Sequence, residues 1–259
     1  MRADDGMSGP DARLPAMRFV LIRHGQSTNN ALWAETGGDI GREVDTRLTA
    51  LGKAQAAALA SYATSPGLPW SLTHLYASPM ARAVQTAAPL ADALDLPLVL
   101  NQDLFEVGGP YELHEDTGEQ VAHPGSAGSV IAALSDRVRL PEWLTEDGWW
   151  HSEVEREREV YVGRADRLIG DLRDTHDPND VVGLVSHGWF GNVLLGRLLG
   201  IERINGAFEL ANTSISLLED TEEGVPWDIT AIRVNWLPHL AADQVSDSAL
   251  GGRLAGGLP

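Results

Sequence analysis

Two short segments carry residue types that can move a phosphoryl group. The apolar run Phe19-Val20-Leu21-Ile22 ends on Arg23-His24-Gly25, and Val181-Val182-Gly183-Leu184-Val185-Ser186 ends on His187-Gly188. Each reads as a buried strand that delivers an imidazole to its carboxyl end, where open α/β sheets place their ligands. In the first segment a guanidinium lies beside the imidazole. The polar residues that follow can open a helix, and its free N–H groups suit an anion. If the two strands are neighbours in one parallel sheet, both imidazoles line one crevice. A cation, a histidine and a helix N-terminus converging on one point describe a phosphate site with a nucleophile in it. Which histidine attacks does not follow from these two segments alone.

Such histidines need a parallel sheet to hold them, and the rest of the chain has its pattern. Strands are expected at 18–23, 72–77, 98–100, 181–186, 214–218 and 229–234. Helices are expected at 26–33, 50–63, 80–94, 153–173 and 189–199. This alternation is the signature of an α/β fold built on a parallel sheet. Pro89 is expected to kink or interrupt its helix. The helix at 153–173 has Val154, Val160, Tyr161 and Leu168 as its expected apolar face, and its Glu/Arg run reads as solvated surface. Residues 107–152 break the rhythm, with a helix expected near 129–139. Trp143, Trp149 and Trp150 in this stretch could form an aromatic wall over substrate or a dimer contact, and packing of the stretch onto the core is the favoured reading. Residues 1–16 and 237–259 read as a disordered and a flexible tail around one domain at 17–236.

The balance of 19 basic against 37 acidic residues, a net charge of −18, argues against nucleic acid and anionic membranes as partners. Phosphate must therefore be held by a local cluster of cations, because salt screens the repulsive overall field beyond roughly 8–10 Å. With no cysteine in 259 residues, disulfides and thiolate metal ligands are excluded. No apolar run approaches the roughly 20 residues needed to span a bilayer, and residues 1–17 lack the apolar stretch of a secretory signal. These features point to a soluble, cytoplasmic protein, with a homodimer left open. No spacing of His, Asp and Glu suggests a dinuclear metal site, so neither metal nor other cofactor is expected.

The two His-Gly segments belong to a longer series. Leu48-Thr49-Ala50-Leu51-Gly52-Lys53-Ala54-Gln55-Ala56, Ser78-Pro79-Met80-Ala81-Arg82-Ala83-Val84-Gln85-Thr86-Ala87, Leu104-Phe105-Glu106 and Asn212-Thr213-Ser214 follow in order. Together they resemble the motifs of the histidine phosphatase superfamily, which includes phosphoglycerate mutases and many small-molecule phosphatases. The resemblance spans residues 18 to about 235. It implies a three-layer αβα sandwich with a mostly parallel central sheet, and a cap insertion at about 107–152. It also implies a metal-independent reaction through phosphohistidine on a small-molecule phosphomonoester.

The resemblance assigns the attack to His24, the histidine of the first segment. Arg23 and Arg82 would grip the non-bridging oxygens with planar, permanently charged forks. His187, neutral or charged, would donate to the same oxygens. Glu106 would give a proton to the leaving oxygen, with Glu112 as a weaker alternative. Some members of the family place an Asp after the second histidine; Gly188 stands there and removes that rival acid. Asn30 falls where the family binds phosphate, and Thr36-Gly37 where the mutases reach the substrate. Ser27 could cap a helix or touch phosphate, and Thr213 or Ser214 could hold the far end of the substrate. The segment Glu106-Val107-Gly108-Gly109 lacks the basic residue that the mutases carry after the acid. Together with a longer loop after Gly37, this favours a phosphatase over a mutase. The intact set of five core residues disfavours a non-catalytic binding protein.

Overall fold

The computed structural model describes residues 16–68, 70–201, 208–221 and 229–246. Strand β1 (Ala16–Arg23) leads to α1 (Thr28–Thr36) and α2 (Ala50–Ala63), and β2 (His74–Ala77) leads to α3 (Ala81–Leu94). β3 (Leu98–Leu100) follows, then the hairpin β4 (Tyr111–Leu113) and β5 (Gln120–Ala122), α4 (Gly128–Ala132) and β6 (Val138–Arg139). The chain continues through α5 (Arg158–Thr175), β7 (Val181–Ser186), α6 (Gly188–Leu198), β8 (Ile215–Thr221) and β9 (Ile229–Trp236). Seven strands form the central sheet in the order β6-β3-β2-β7-β1-β8-β9. β6, β3, β2, β7 and β1 pair in parallel, and only β8 makes antiparallel pairs.

Successive side chains of a strand point to opposite faces, and both faces of β1 are apolar. Val20 and Ile22 join a core with Val84, Ala87 and Leu90 of α3 and Leu59 of α2. Phe19 and Leu21 join a second core with Leu168 of α5 and Val193 and Leu194 of α6. A sheet covered on both faces is the expected setting for parallel strands, and the three layers follow from it.

Local departures from the sequence expectation each have a cause. Pro89 lies inside α3 without ending it, because burial of Val84, Ala87, Leu90 and Ala91 around it offsets the missing N–H. The helix expected at 129–139 is only α4. Ser135 Oγ then accepts from the Arg137 N–H in a turn, and β6 adds to the edge of the sheet, where Leu98 N donates to Arg137 O. Residues 107–152 thus contribute a strand to the core sheet. Trp149 is fully buried, with its ring centroid 5.8 Å from that of Phe105, and Trp150 lies 4.5 Å from the same ring. Their packing role holds. Residues 237–246, expected in a flexible tail, fold back onto the core: Ser246 Oγ donates to Asn212 Oδ1, and Gln55 Nε2 donates to Ser246 Oγ. Residues 1–15 and 247–259 lie outside the described residues.

The expected apolar face of α5 is corrected most. Val160 is 55% exposed, and the buried face is Ala165, Leu168, Ile169 and Leu172 together with Arg164. The Glu/Arg run is not all solvated surface. Arg164 Nη2 pairs with Glu155 Oε2 at 2.7 Å, both side chains 3% exposed. Its guanidinium lies between the rings of Phe105 and Phe190, 3.6 and 3.8 Å from their centroids, and donates to Phe105 O and Asp103 O. This buried pair ties α5 to the backbone of the Leu104-Phe105-Glu106 segment. Removing one partner leaves an uncompensated buried charge, so Arg164→Ala should cost about 3–5 kcal/mol of stability. Arg164→Met with Glu155→Leu, which removes both charges, should cost much less. Denaturant melts of the two variants make the comparison, and equal losses would show that packing rather than charge dominates there.

Candidate active site

Parallel pairing of β1 with β7, with Arg23 opposite Ser186, places His24 and His187 side by side at the carboxyl edge. The His24 N–H donates to Ser186 O, and the two imidazoles meet edge to face with centroids 5.1 Å apart. The crevice expected from the sequence therefore exists. Two further glycines explain its tightness. A Cβ on Gly25 would come within 2.7 Å of Gly52 O, and one on Gly52 within 2.1 Å of Gln26 O. The glycines of Arg-His-Gly and Leu-Thr-x-x-Gly therefore face each other and let α2 press against the His24 loop. Thr86 Oγ1 accepts from the Gly25 N–H and donates to Arg82 O, tying that loop to α3.

The tautomer of His24 follows from its partners. Arginine can only donate and a carbonyl can only accept. Arg82 Nε–H donates to His24 Nε2 at 3.2 Å, so Nε2 carries the lone pair; Nδ1–H donates to Gly25 O at 2.7 Å. Burial, and then the charges of Arg82 and Arg23, hold the His24 imidazole well below its ordinary pKa. A neutral ring with an unprotonated Nε2 is what a nucleophile needs at neutral pH.

His187 is likewise held well below its ordinary pKa, by burial first and then by Arg82 and His24. Of the two protonation states open from the sequence, the neutral ring is the one that results. Its Nε2 bonds Ser78 Oγ at 2.8 Å, and Ser78 Oγ also accepts from the Met80 N–H. If the serine hydroxyl spends its proton on Nε2, Nδ1–H becomes the ring's donor. Nδ1 is buried without a hydrogen-bond partner among the described residues. A buried polar atom left unpaired is rare and marks a place for a ligand.

Arg23 is buried, and burial lowers its pKa to about 10, so it stays charged at neutral pH. Its Nη1 donates to Leu210 O while its Nε has no partner among the described residues. Gly188 allows this guanidinium to lie close, since a Cβ there would meet Arg23 Nε at 3.3 Å. Arg82 is lowered by burial and supported by the charges of Asp45 and Glu106. Asp45, which sequence reasoning missed, accepts from the Ala81 N–H at the start of α3 and from Ser126 Oγ. It thereby ties the loop after α1, α3 and the 107–152 segment together next to Arg82.

The helix N-termini do not serve as expected. At α1 the backbone N–H groups of Ser27, Thr28, Asn29 and Asn30 donate to Asn30 Oδ1, Arg47 O, Thr46 Oγ1 and Ser27 Oγ. Ser27 and Asn30 form a capping box in which Ser27 Oγ accepts, and Ser27 also lines the cleft. These four donors are spent, and the cations at the site come from side chains instead. At α6 the N–H groups of Trp189 and Phe190 donate to the Glu106 carboxylate at 3.1 and 2.8 Å, and the Val107 N–H adds a third bond. Glu106 is thus fixed by a helix N-terminus that no motif pairs with it.

These groups surround a cleft of about 360 Å³ lined by Arg23, His24, Arg82, Glu106, Ser27 and Asn30. Asn29, Trp33, Asp39, Arg42, Thr46, Val107, Tyr111, Gly188 and Trp189 complete its wall. Arg42 lies 3.6 Å above the Tyr111 ring and donates to Tyr111 O, closing the mouth between the loop after α1 and β4. Three expected contacts fall elsewhere. Thr36 is exposed at the end of α1, where its hydroxyl donates to Leu32 O, and Gly37 caps that helix in a left-handed conformation. The longer loop carries Asp39 and Arg42 to the cleft in their place. Thr213, at φ 58°, is buried behind His24: its N–H reaches Arg23 O, and Ser214 O accepts from the Arg23 N–H. Glu112 is exposed on β4 and does not line the cleft. Asn212, whose Nδ2 donates to His24 O and Asn30 Oδ1, lies in a motif that was read for its neighbours alone.

A family model of the histidine phosphatase superfamily (branch 1) matches residues 19–234. A protein of Yersinia enterocolitica named "Probable phosphoglycerate mutase GpmB" is 34% identical, with 88% of this chain and 93% of that protein covered. The "Putative phosphoserine phosphatase 2" of Hydrogenobacter thermophilus is 29% identical, covering 71% and 79%. The solved structure of a mycobacterial glucosyl-3-phosphoglycerate phosphatase superposes with a TM-score of 0.56 at 23% identity, covering 85% of this chain and 99% of that one. That likeness shows a shared fold.

Proposed function

The chain belongs to the histidine phosphatase superfamily, branch 1, and from that premise we propose that it hydrolyses small phosphomonoesters through a phosphohistidine at His24. The observation that carries the reading is the fixed tautomer: Nε2 of His24 is unprotonated and is held by Arg82. A phosphate monoester resists attack because its anionic oxygens repel the nucleophile, so the site must neutralise them and hold the reactants in line. Arg23 and Arg82 supply the permanent charge. As phosphate enters, the Arg82 fork turns its donors to the non-bridging oxygens and releases the Nε2 lone pair. His187 Nδ1–H donates to the same oxygens, and Asn30 adds its Nδ2 amide. Glu106 protonates the leaving oxygen and then takes a proton from the water that attacks the intermediate. With the arginines carrying the charge, the scheme needs no metal ion.

The balance of charge supports a hydrolase over a mutase. Arg23, Arg42 and Arg82 line the cleft against Asp39 and Glu106, a net of one positive charge with Glu106 ionised and two with Glu106 protonated as the leaving-group acid, both histidines being neutral. That suits one phosphoryl group better than a bisphosphate that also carries a carboxylate. Residues 106–109 form a turn in which Gly109 N donates to Glu106 O, with φ of 98° and 72° at Gly108 and Gly109. The turn offers no cation for a second anionic group. The second reading is a phosphoglycerate mutase, favoured by the names of the relatives at 34% and 29% identity. One preparation tests both, assayed for phosphate release and for 3-phosphoglycerate to 2-phosphoglycerate conversion. The expected result is stoichiometric phosphate release from several sugar or carboxylate phosphates, in the presence of chelator and without stimulation by 2,3-bisphosphoglycerate. Bisphosphate-dependent interconversion much faster than release would replace the hydrolase with the mutase.

A further inference from the structure

At the opposite end of the sheet, His74, His176 and Asp180 come together, although more than a hundred positions separate the first from the other two. His74 opens β2, His176 caps α5, and Asp180 immediately precedes β7. β2 and β7 are parallel neighbours, with His74 opposite Val182. The cluster therefore lies at the amino edge, about 20 Å from the catalytic histidines at roughly 3.3 Å per residue of strand.

The three side chains each offer one donor atom, and these atoms lie within 4.8 Å of one another. His176 Nδ1 is 3.4 Å and His74 Nδ1 3.9 Å from Asp180 Oδ2. Both are longer than a sound N–H···O bond of about 2.7–3.2 Å. They approach the separation of about 3.3 Å between ligand atoms that tetrahedral coordination at 2.0–2.1 Å requires. The surroundings orient the donors. The Tyr76 hydroxyl bonds His176 Nε2 at 3.1 Å, which lets Nε2 carry the ring proton and leaves the Nδ1 lone pair facing the cluster. Thr73 Oγ1 donates to Asp180 Oδ1 at 3.2 Å, and the Asp177 N–H donates to Oδ2 at 3.0 Å. Partners of this kind hold metal ligands in position. The His176 side chain is 2% exposed, whereas that of His74 is 43% exposed and leaves a way in from solvent.

We propose that His74, His176 and Asp180 bind one divalent transition-metal ion, which clips the end of α5 to the starts of β2 and β7. Two imidazoles and one carboxylate suit Zn²⁺ or its first-row neighbours and not the all-oxygen preference of Mg²⁺ or Ca²⁺. A water fills the fourth position. On binding, His74 moves its ring proton to Nε2, and the freed Nδ1 lone pair exchanges its present 2.9 Å contact with Thr73 Oγ1 for the ion. The role is structural, at a distance from the cleft, and is compatible with hydrolysis that needs no metal. The sequence held little sign of the site: His176 and Asp180 are four residues apart, but the second imidazole, His74, lies more than a hundred positions away.

The test uses the full chain, stripped with chelator and then given Zn²⁺ in equilibrium dialysis or Co²⁺ monitored by its visible absorption. About one equivalent should bind, with tetrahedral Co²⁺ intensity and a melting temperature raised by roughly 5–10 °C at hundredfold excess over Kd. His74→Gln and Asp180→Asn, near-isosteres whose metal-free melting should match that of the stripped wild type, should lose the bound ion and the shift. His24→Ala should keep both. No binding at micromolar Zn²⁺, or binding that survives His74→Gln and Asp180→Asn but vanishes in His24→Ala, would overturn the proposal. The second of these outcomes would place the ion in the catalytic cleft.

Discussion

His24→Ala should abolish turnover on every substrate, with kcat lower by about 10⁴-fold or more, because no other side chain among the described residues is placed to accept the phosphoryl group. Among the described residues His187 is the other imidazole beside it, and its Nε2 is engaged by Ser78. The remaining groups at the cleft floor, Arg23 and Arg82, are not nucleophiles. The companion measurement is a rapid alkaline quench with phosphorus-labelled substrate. A phosphohistidine survives base and is lost in acid, so label should map to the peptide containing His24 in the wild type and be absent from the variant. Melting curves check the fold, since the variant also removes the acceptor of Arg82 Nε–H. Label on another residue, or turnover within tenfold of wild type, would remove the covalent mechanism while leaving the family assignment intact.

Glu106→Gln separates the capping contacts that the structure shows for this carboxylate from the proton-donor role proposed for it. As a cap of α6 it accepts from Trp189, Phe190 and Val107 N–H groups, and an amide oxygen can keep part of that. As a proton donor it has no substitute among the residues lining the cleft, because Asp39 belongs to the loop at the mouth and Gly188 stands where some relatives carry an acid. Alkyl phosphates, whose leaving oxygen must be protonated, should lose about 10²–10⁴-fold in kcat. A nitrophenyl phosphate, whose leaving group departs as a stable anion, should lose less than about tenfold. A purely structural role would depress both alike, so equal losses would show that Glu106 holds α6 and that the acid lies elsewhere.

Much of the fold is legible from the chain because its signals are local. The apolar runs ending in His24 and His187 each specify a strand and what it delivers at its end. The glycines, Gln55, Gln85 and Thr86 of the intervening motifs are legible as residue types, though not as what they touch: Gln55 Oε1 accepts from Gln26 N–H and Gln85 Oε1 from Leu48 N–H. The misread elements have weak local signals. On α5 a charged stretch hides a buried face, since Arg164 enters the core on account of a Glu155 and two aromatic rings contributed by other elements. At residues 133–139 helical propensity yields to pairing with the free edge of β3.

The sequence by itself determined the alternating α/β architecture and the delivery of two imidazoles and Arg23 to strand ends, while Arg82 of α3 joined them only through the family resemblance. Periodicity sets the strands, and each reactive residue sits next to the strand or helix that carries it. Only the tertiary structure decided the protonation and the partners. His24 has its lone pair on Nε2 because Arg82, 58 residues away, donates to it. The α1 N-terminus is closed to phosphate because Thr46 and Arg47 reach it. The α6 N-terminus holds Glu106 across 83 and 84 residues, and His74 meets His176 and Asp180 across a similar span. A hydrogen bond or a ligand set depends on distances of a few ångströms between atoms remote in the chain, and no spacing along the sequence encodes those distances.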